Sequence, residues 1–292
     1  MNHDILSIIS KRVDKLSKGQ KRIAQYVTEH YDKAAFMTAS KLGEIVGISE
    51  STVVRFAFEL GYDGYPGLQK ALQEMIRNRL TAVQRIEVAS EQIGNEEVLD
   101  KVLNLDIEKI RHTLEETSRR HFNGAVESIA NARNIYILGS RSAATLARFL
   151  AYYFNLMFAN VKLVHTTSTG EIFEQIMRVN AQDVMIGISF PRYSKRTAIA
   201  LNFAHHKGAK VIAITDSVSS PLVKESDYFL QARSDMASFV DSLVAPLSLI
   251  NALIVAVGLK KTGEITQTFQ QLESIWDEYE IYEKVEEPTH DK

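Results

Sequence analysis

The sequence predicts a chain of two domains, an all-α domain followed by an α/β domain built on a five-stranded parallel sheet. In the first 80 residues, apolar residues recur at three- and four-residue intervals, as in amphipathic helices. After residue 131, short apolar runs alternate with helical stretches, which is the order expected of parallel strands joined by crossover helices. A length of 292 residues also favours two domains over one.

The composition excludes several classes of protein. Hydrophobic residues make up 45% of the chain and charged residues 24%, as in an ordinary globular protein. The chain has no cysteine, which excludes disulfides and thiolate metal sites. Its first residues lack the apolar stretch of a secretory signal, and the apolar run 244–257 is shorter than the roughly 20 residues that cross a bilayer. We therefore expect a cytoplasmic protein outside the membrane, with no metal and no other cofactor.

Charge is distributed unevenly along the chain. The formal net charge is −2, but residues 1–80 hold 12 Lys and Arg against 9 Asp and Glu. Residues 276–292 hold 7 acidic residues against 2 lysines, and we interpret them as an acidic tail. The basic front is compatible with nucleic-acid binding, although ordinary solvated helices often carry a similar excess.

Two segments separated by a glycine predict a helix-turn-helix in the first domain. Residues 39–46 place apolar side chains on one face, and this helix should end at Gly47, whose missing Cβ suits a left-handed C-terminal residue. Ser49 should then cap the second helix by accepting a hydrogen bond from a free backbone N–H. The polar groups at the exposed start of that helix are Ser51, Thr52 and Arg55. Such a start suits contact with DNA bases, although an ordinary helical hairpin has the same pattern.

The remaining segments are placed by composition and periodicity. Residues 81–131 are polar with a loose helical pattern, which predicts a helical connector rather than a flexible tether. Beyond it, the predicted strands are the apolar runs 134–139, 161–166, 183–189, 209–216 and 227–232. Because the stretches between them have helical character, the strands should form a parallel sheet covered on both faces.

Two strand-to-helix junctions combine serine hydroxyls with arginine. They are GSRSAAT (139–145), after the first predicted strand, and GISFPRYSKRT (187–197), after the third. Ligands of parallel sheets bind beyond the carboxyl ends of the strands, where helix N-termini offer free N–H groups. Hydroxyls, a helix dipole and guanidinium groups suit a phosphate or a carboxylate. Helix capping by each serine is the alternative, and the first junction lacks the GxGxxG spacing of a dinucleotide site.

Two titratable residues lie at the same predicted edge of the sheet. His165 ends the second predicted strand, and Glu171 begins the helix that follows. The sequence allows two roles for His165, which are contact with a ligand and a structural hydrogen bond. No Walker-type loop, serine nucleophile elbow or metal-ligand cluster is visible in the sequence.

Several of these segments resemble one family. The stretch GISESTVVRFAFELGYDGYPGLQKAL (47–72) is similar to the recognition-helix region of RpiR-type bacterial transcription regulators, with residues 51–56 and 60–62 as its most specific part. These regulators join an N-terminal helix-turn-helix domain to a C-terminal sugar isomerase (SIS) domain, a five-stranded α/β sandwich that binds phosphosugars. The runs NIYILGSRSA, DVMIGIS and AKVIAITD are similar to the SIS domain.

The resemblance implies a division of the chain and two sets of site residues. It implies a DNA-binding domain at 1–80, a connector at 81–131, a SIS domain at 132–275 and the acidic tail at 276–292. The implied DNA contacts are Lys41, Ser49, Ser51, Thr52 and Arg55. The implied phosphosugar contacts are Ser140, Ser142, Ser189, Ser194 and Thr197. The other ligand-binding candidates, taken from the residues themselves, are Arg141, His165, Glu171, Arg192 and Tyr193.

The chain departs from the SIS pattern in both loops. Many SIS domains have a second glycine and then a serine in the first loop, where this chain has Arg141 and Ala143. The second loop usually reads Ser-x-Ser-Gly-x-Thr, whereas SFPRYSKRT is longer, with Arg192 and Tyr193 inserted. We therefore expect these arginines and the tyrosine to set the identity of the ligand, which could carry a phosphate or a carboxylate.

The sequence thus predicts a ligand-responsive transcription regulator of carbohydrate metabolism rather than an enzyme. A homodimer or higher homo-oligomer would bind a double-stranded DNA operator and respond to a sugar phosphate or a related sugar acid. The alternative is an aldose–ketose sugar-phosphate isomerase that uses Glu171 or His165 as its base. A third reading is an adaptor whose helical domain binds protein instead of DNA.

Overall fold

A computed structural model of the chain describes residues 5–77, 83–84, 86, 97–165, 168–234 and 240–282. The chain divides into two compact units. The first comprises Met1–Glu115, Phe190–Tyr193 and Arg233–Ala245, and the second comprises Glu116–Ser189, Ser194–Ala232 and Pro246–Lys292. Two short segments of the predicted α/β domain therefore belong to the first unit. Most of the front half of the predicted connector, and residues 283–292 of the predicted acidic tail, lie outside the described residues.

The N-terminal part of the first unit is helical, as the apolar periodicity predicts. They are α1 (Ile5–Arg12), a 3-10 turn (Val13–Lys15), α2 (Lys18–Glu29), α3 (Tyr31–Ala34), α4 (Ala39–Val46), α5 (Glu50–Glu59) and α6 (Gly64–Arg77). Helix α2 begins with a capping box, in which Ser17 Oγ accepts from the Gln20 backbone N–H and Gln20 Oε1 accepts from that of Ser17. The apolar faces of these helices enclose one core, in which Ile23, Val53 and Phe56 are completely buried.

Helix α7 (Val98–Glu116) is bound to the segment Arg233–Ala245 of the same unit. Lys109 is buried on α7 and pairs with Asp106 at 2.9 Å. Asp106 also accepts a hydrogen bond from Ser242 Oγ at 2.7 Å. One turn further along, Thr113 Oγ1 accepts a hydrogen bond from the Arg233 backbone N–H at 2.9 Å. These hydrogen bonds attach α7 to Arg233 and Ser242 and satisfy the polar side chains of Asp106 and Thr113.

The second unit alternates strands and helices. Its elements are α8 (Arg119–Ala130), β1 (Ile135–Gly139), α9 (Ala143–Asn155), β2 (Val161–Val164), α10 (Thr169–Ile176), β3 (Val184–Ile188), α11 (Lys195–His206), β4 (Lys210–Thr215), a 3-10 turn (Val223–Glu225), β5 (Tyr228–Gln231), α12 (Val244–Lys260) and α13 (Thr262–Glu278). Each predicted strand is present, with ends that differ by a few residues at most from the apolar runs. In the described range 97–131 of the predicted connector, the structure has the helices α7 and α8.

The five strands form one parallel sheet in the order β2-β1-β3-β4-β5. Ile135 of β1 pairs with Val161 of β2 on one side and with Val184 of β3 on the other. All five residues of β3 are buried, as expected of a strand covered on both faces. The predicted α/β fold with a five-stranded parallel sheet is therefore confirmed.

Charged groups at the amino edge of the sheet are paired with one another. Asp183, just before β3, is buried and accepts hydrogen bonds from Arg133 Nε at 3.1 Å and Nη2 at 3.0 Å. It also accepts from Asn134 Nδ2 at 2.7 Å and from the Asn180 backbone N–H at 3.0 Å. Burial pushes the pKa of Asp183 up, but these hydrogen bonds together hold it below its ordinary value.

The long apolar run near the C-terminus is a helix of the core. It falls within α12, where Leu253 and Val257 are completely buried, in agreement with the expected core helix. Within the part of the chain that the structure describes, no single helix is long and apolar enough to span a membrane. Only α12 and α13 taken together reach that length and hydropathy, and they are bent by 98° at their junction.

Candidate functional site

Two glycines shape the turn between α4 and α5. Gly47 adopts a left-handed conformation, with φ of 70°, directly after the last residue of α4, as predicted. The Ile48 backbone N–H donates to the Gly43 carbonyl at 2.9 Å, and a Cβ added at Gly43 would lie 2.8 Å from the Ile48 carbonyl oxygen. Any larger residue at Gly43 would push the turn away from α4. The helix-turn-helix geometry thus depends on backbone contacts that only glycine permits.

The exposed start of α5 carries the predicted DNA-contact residues. Ser49, Ser51 and Arg55 are exposed and Thr52 is half-buried, while the opposite face of the helix is in the core. Ser49 Oγ lies 3.0 Å from Ser51 Oγ and 2.9 Å from Thr52 Oγ1, and Arg55 Nε donates to the Ser51 carbonyl at 3.3 Å. Three hydroxyls and one guanidinium therefore form a single polar surface at the start of the helix.

One detail of this surface corrects the sequence analysis. Ser49 occupies the N-cap position with an extended backbone, but its side chain accepts no hydrogen bond from the backbone of α5. The neighbouring hydroxyls of Ser51 and Thr52 are its partners instead. Polar side chains grouped at one helix start compete for the same hydroxyl, so the predicted cap does not form.

Lys41, the predicted phosphate contact, lies on α4. Its Nζ pairs with Glu44 at 2.9 Å, and both side chains are more than half exposed. A surface ion pair of this kind contributes little, about 0.2–1 kcal/mol, so the lysine is easily available to another anion. The structure places all five predicted DNA contacts on α4, α5 and the turn that joins them, and their contact with DNA stays a prediction.

The junction after β1 is a tight turn in the second unit. A Cβ added at Gly139 would lie 2.3 Å from the Ala143 carbonyl oxygen, so the turn requires glycine there. Arg141 adopts a left-handed conformation with φ of 58°, which is unfavourable for a residue with a side chain. Glycine, which the resemblance leads one to expect at this position, would adopt this conformation without that cost. Ser142 precedes α9 but makes no capping hydrogen bond.

The junction after β3 is a short chain of hydroxyl contacts. Ser189 is buried, and its Oγ accepts from the Ser194 backbone N–H at 3.0 Å. Ser194 Oγ accepts in turn from the Thr197 backbone N–H at 3.3 Å, so Ser194 caps α11. Thr197 Oγ1 lies 3.4 Å from Ser140 Oγ. The structure thus brings the two serine-bearing junctions together at the carboxyl edge of the sheet.

Three cations belong to the same two junctions of the second unit. Arg141, Lys195 and Arg196 are all exposed. Within the described part of the chain, none of the three forms an ion pair. Hydroxyls, the N-terminus of α11 and unpaired cations at one edge are suited to an anion. Arg192 and Tyr193 belong to the first unit, and their predicted part in ligand binding stays a prediction.

His165 and Glu171 are both exposed. The backbone of His165 is held by the Gln175 side chain, which accepts from its N–H and donates to its carbonyl, both at 3.3 Å. Those bonds order the end of β2 without using the imidazole ring. The described residues include no group of three His, Cys, Asp or Glu side chains placed to hold a metal ion.

A third polar group at the carboxyl edge was missed by the sequence analysis. Thr215, Asp216 and Ser220 follow β4 and are buried. Thr215 Oγ1 lies 2.8 Å from Ser220 Oγ and 3.3 Å from Asp216 Oδ1. The signal was present, because the sequence ITDSVSS places an acid and three serines directly after a buried strand.

Two family models match the chain. Residues 3–79 match the helix-turn-helix domain of the rpiR family, and residues 128–256 match the SIS domain. Two relatives cover most of the chain. A helix-turn-helix transcriptional regulator of Caldanaerobacter subterraneus is 23% identical over 93% of this chain and 96% of its own. The transcriptional regulator HexR of Pseudomonas aeruginosa is 24% identical over 88% of this chain and 90% of its own.

Solved structures share the same architecture. The NanR protein of Vibrio vulnificus, solved in complex with ManNAc-6P, is 20% identical, with a TM-score of 0.58 over 94% of this chain and 99% of its own. The sugar isomerase domain of an RpiR transcription factor from Sphaerobacter thermophilus is 27% identical, with a TM-score of 0.56 over 60% of this chain and 97% of its own. The NanR likeness extends over both units, whereas the Sphaerobacter likeness is to a sugar isomerase domain alone.

Proposed function

Because this chain belongs to the RpiR family of helix-turn-helix regulators that carry a SIS domain, we propose that it binds an operator in double-stranded DNA and responds to a sugar phosphate or a related sugar acid. The polar start of α5 would read the operator, and the carboxyl edge of the sheet would hold the effector. The observation that carries the proposal is the joining of two hydroxyl-bearing junctions through Ser140 and Thr197. Arg141, Lys195 and Arg196 of these junctions form no ion pair within the described residues.

The helix-turn-helix supports the DNA part of this proposal. A recognition helix enters the major groove with its N-terminal residues against the base edges. Ser51 and Arg55 are exposed in the first turns of α5, while Val53 and Phe56 hold the other face in the core. Arginine can donate two hydrogen bonds to guanine, whereas Ser49 at the turn and Lys41 on α4 are suited to phosphate oxygens.

The carboxyl edge of the sheet supports the effector part. Phosphate and carboxylate groups are bound by free N–H groups at helix N-termini, by hydroxyls and by arginine. Ser140, Arg141 and Thr197 supply two hydroxyls and a cation at that edge. The NanR structure was solved with the sugar phosphate ManNAc-6P, and this supports a sugar phosphate as the effector of a chain with the same fold.

Two copies of the chain would act together on the operator. Dimeric helix-turn-helix proteins bind two half-sites about one helical turn of DNA apart. The effector would change DNA binding only by binding one arrangement of the dimer better than another. We therefore propose a homodimer, inside the cell and off the membrane, with the effector as the signal.

We further propose that the chain is a regulator without isomerase activity. Its relatives are named as transcriptional regulators, although SIS domains also occur in isomerases. An isomerase needs a base within hydrogen-bond reach of the carbon that loses its proton. Turnover of a pentose or hexose phosphate by the wild type, abolished by Glu171→Gln, would contradict the proposal.

Operator binding tests the proposal most directly. We expect the protein to shift DNA from upstream of its own gene at about 100 mM salt, where nonspecific binding is weak. Arg55→Ala should cost about 1–3 kcal/mol of binding free energy if the guanidinium reads a base. Lys33→Ala removes the same charge from an exposed position on α3 and is the matched control. No specific shift by folded wild-type protein would overturn the proposal.

Effector binding is tested on the same protein. Sugar phosphates and sugar acids are added in a thermal-unfolding screen, because a ligand at 100 times its dissociation constant adds about 2.7 kcal/mol of stability. The compound with the largest shift is then added to the operator assay. It should change the protein concentration needed for half-maximal DNA binding, and a compound that stabilises the protein without that change would contradict its role as effector.

A further inference from the structure

Helix α2 carries its charges in an order that works against its own stability. Lys18, Lys21 and Arg22 lie at its start, and its first turn has no acidic residue. Its one acidic residue, Glu29, is the last of the helix. Because a helix carries partial positive charge at its N-terminus and partial negative charge at its C-terminus, the reverse order would stabilise α2. The cations at its start therefore indicate a role outside the folding of the helix.

The side chains of Lys18, Lys21 and Arg22, called here the α2 cations, are presented together to solvent. They are spaced by three and four residues, so they share one face of α2. All three are exposed, whereas Ile23 and Val27 hold the other face of the helix in the core. Within the described residues, the side chains of the two lysines form neither an ion pair nor a hydrogen bond. These lysines are therefore available to an anion outside the chain.

The start of α2 lies against the helix-turn-helix of the same unit. A Cβ added at Gly19 would lie 3.6 Å from Thr52 Cγ2 and 3.8 Å from Ile48 Cγ2. Arg22 Nη2 donates a hydrogen bond to the carbonyl of Val46, the last residue of α4. The α2 cations thus adjoin both the turn and the first residues of α5.

We propose that the α2 cations bind DNA phosphates beside the groove that α5 enters. The inference rests on the proposed function, in which α5 reads an operator, and it adds the residues that hold α5 in place. An α-helix with its side chains is about 10–12 Å across and the major groove is about 12 Å wide, so a reading helix fills the groove. The elements beside that helix then meet the phosphates that border the groove.

The balance of charge around the turn suits a polyanion. In the first two turns of α2 and of α5, the cations Lys18, Lys21, Arg22 and Arg55 stand against one acid, Glu50. Arg22 uses one of its five N–H groups on Val46 within the described part of the chain, which leaves others for a phosphate. Phosphate contacts of this kind fix the position of a protein on the duplex and carry no sequence information.

The salt dependence of DNA binding tests the inference in the full-length protein. Lys18→Ala and Lys21→Ala each remove one phosphate contact, so each should lower the slope of log affinity against log salt by about one. Extrapolated from 1 M salt, that change is an affinity about 10-fold weaker at 0.1 M. Operator and unrelated duplex should lose affinity by the same factor, because the lysines read no base. Fluorescence anisotropy with labelled duplexes measures both.

Lys33→Ala is the matched control for these two variants. Lys33 is an exposed lysine that follows the far end of α2, about 18 Å along the helix from its start. Its removal should change neither the affinity nor the salt slope. Arg22 is left unchanged in the test, because its contact with Val46 also holds the end of α4.

A charge reversal separates a DNA contact from a role in folding. Lys18→Glu places an acid in the first turn of α2, where it suits the helix dipole. It should raise the unfolding midpoint of the helix-turn-helix domain by about 1–4 °C, measured by calorimetry. The same variant should bind DNA more weakly than Lys18→Ala, since it repels the phosphate. A lower midpoint for Lys18→Glu would assign Lys18 to the fold and overturn the inference.

The outcomes separate this inference from the proposed function. Lysine variants that keep the wild-type affinity and salt slope would overturn the inference and leave the proposed function standing. A loss of affinity for the operator alone would also overturn it, because the lysines would then read bases. A wild type that binds operator and unrelated duplex equally would overturn the proposed function, while the salt slopes would still decide the inference. A wild type that binds neither duplex would overturn both.

Discussion

The amino and carboxyl edges of the sheet hold their charged groups differently. At the amino edge, Arg133 pairs with the buried Asp183 and Lys210 pairs with Asp227. At the carboxyl edge, Arg141 forms no ion pair within the described part of the chain, and the neighbouring serines bond to hydroxyls and backbone N–H groups. The charged groups at the amino edge therefore satisfy one another. The hydroxyls and the guanidinium at the carboxyl edge still have hydrogen-bonding capacity for a ligand.

Cavity volume and unsatisfied polar groups point to different edges of the sheet. A cavity of about 690 Å³ opens at the amino edge and is lined by Arg133, Asp183 and Lys210, among others. An anion entering it would have to compete with carboxylates that are already bonded to these cations. At the carboxyl edge an anion would meet hydroxyls, a helix N-terminus and unpaired cations instead. We therefore propose the carboxyl edge, where polar groups have unused hydrogen-bonding capacity, as the ligand site in preference to the larger cavity.

The largest expected effect is on stability, at the amino edge. Asp183→Ala leaves Arg133, Asn134 and a backbone N–H without their acceptor, and should lower the free energy of unfolding by about 3 kcal/mol. Chemical denaturation measures the loss. Glu273→Ala, at an exposed position of α13, is the control and should change stability by less than about 0.5 kcal/mol. Similar stability of the two variants would mean that the amino edge is not held by this network.

The pH dependence of stability should show the same network. The pKa of Asp183 is lower in the folded protein than its ordinary value, so its contribution is present above the unfolded pKa of about 3.9. That contribution is lost as the pH falls through the folded pKa. The stability difference between the wild type and Asp183→Ala should therefore shrink below about pH 4. A difference that stays constant from neutral to acid pH would argue against an ionised Asp183 in the fold.

The next effect is on effector binding, at the carboxyl edge. Ser140→Ala removes a hydroxyl whose one hydrogen bond within the described part of the chain is the 3.4 Å contact with Thr197. Effector affinity should fall about 10-fold, since a hydrogen bond to a charged group contributes about 1.5 kcal/mol, while unfolding stability should hardly change. Titration calorimetry with the best compound of the thermal screen measures affinity. Ser274→Ala on α13 is the control, and a stability loss without an affinity loss would assign Ser140 to the fold.

The smallest effect concerns backbone strain at the same edge. Arg141→Gly should raise the free energy of unfolding by about 0.5–1 kcal/mol, because glycine adopts the left-handed conformation without steric cost. Arg141→Ala removes the same guanidinium but keeps the strain, so it should not stabilise the protein. Both variants should bind the effector more weakly. Equal stability of the two would show that the turn relaxes in solution.

Regular spacing made most of the fold predictable. The period of apolar residues placed the helices of the first unit, and the short apolar runs placed every strand of the sheet. Gly47 was predicted in its left-handed conformation because a helix stop followed by a turn leaves few alternatives. These features depend on residues that are close in the chain, so the sequence contains the information directly.

The details of the sites depend on tertiary contacts and were less predictable. The capping role given to Ser49 failed because Ser51 and Thr52 bond to its hydroxyl instead. The pairing of Arg133 with Asp183 depends on the register of two strands, and no local pattern shows it. The placement of Phe190–Tyr193 in the first unit is also a property of the folded chain. The roles of Arg192 and Tyr193 therefore stay predictions.

The order of the two folds along the chain has a consequence during synthesis. In the helix-turn-helix domain, α4, α5 and α6 pack against their neighbours in sequence, and such local contacts form quickly. In the sheet, β1 must wait for β3 to leave the ribosome before it can pair on that side. The nascent chain should thus complete its DNA-reading part well before its sensing part exists. A chain truncated within the sheet would therefore keep the helix-turn-helix domain and lack the proposed effector site.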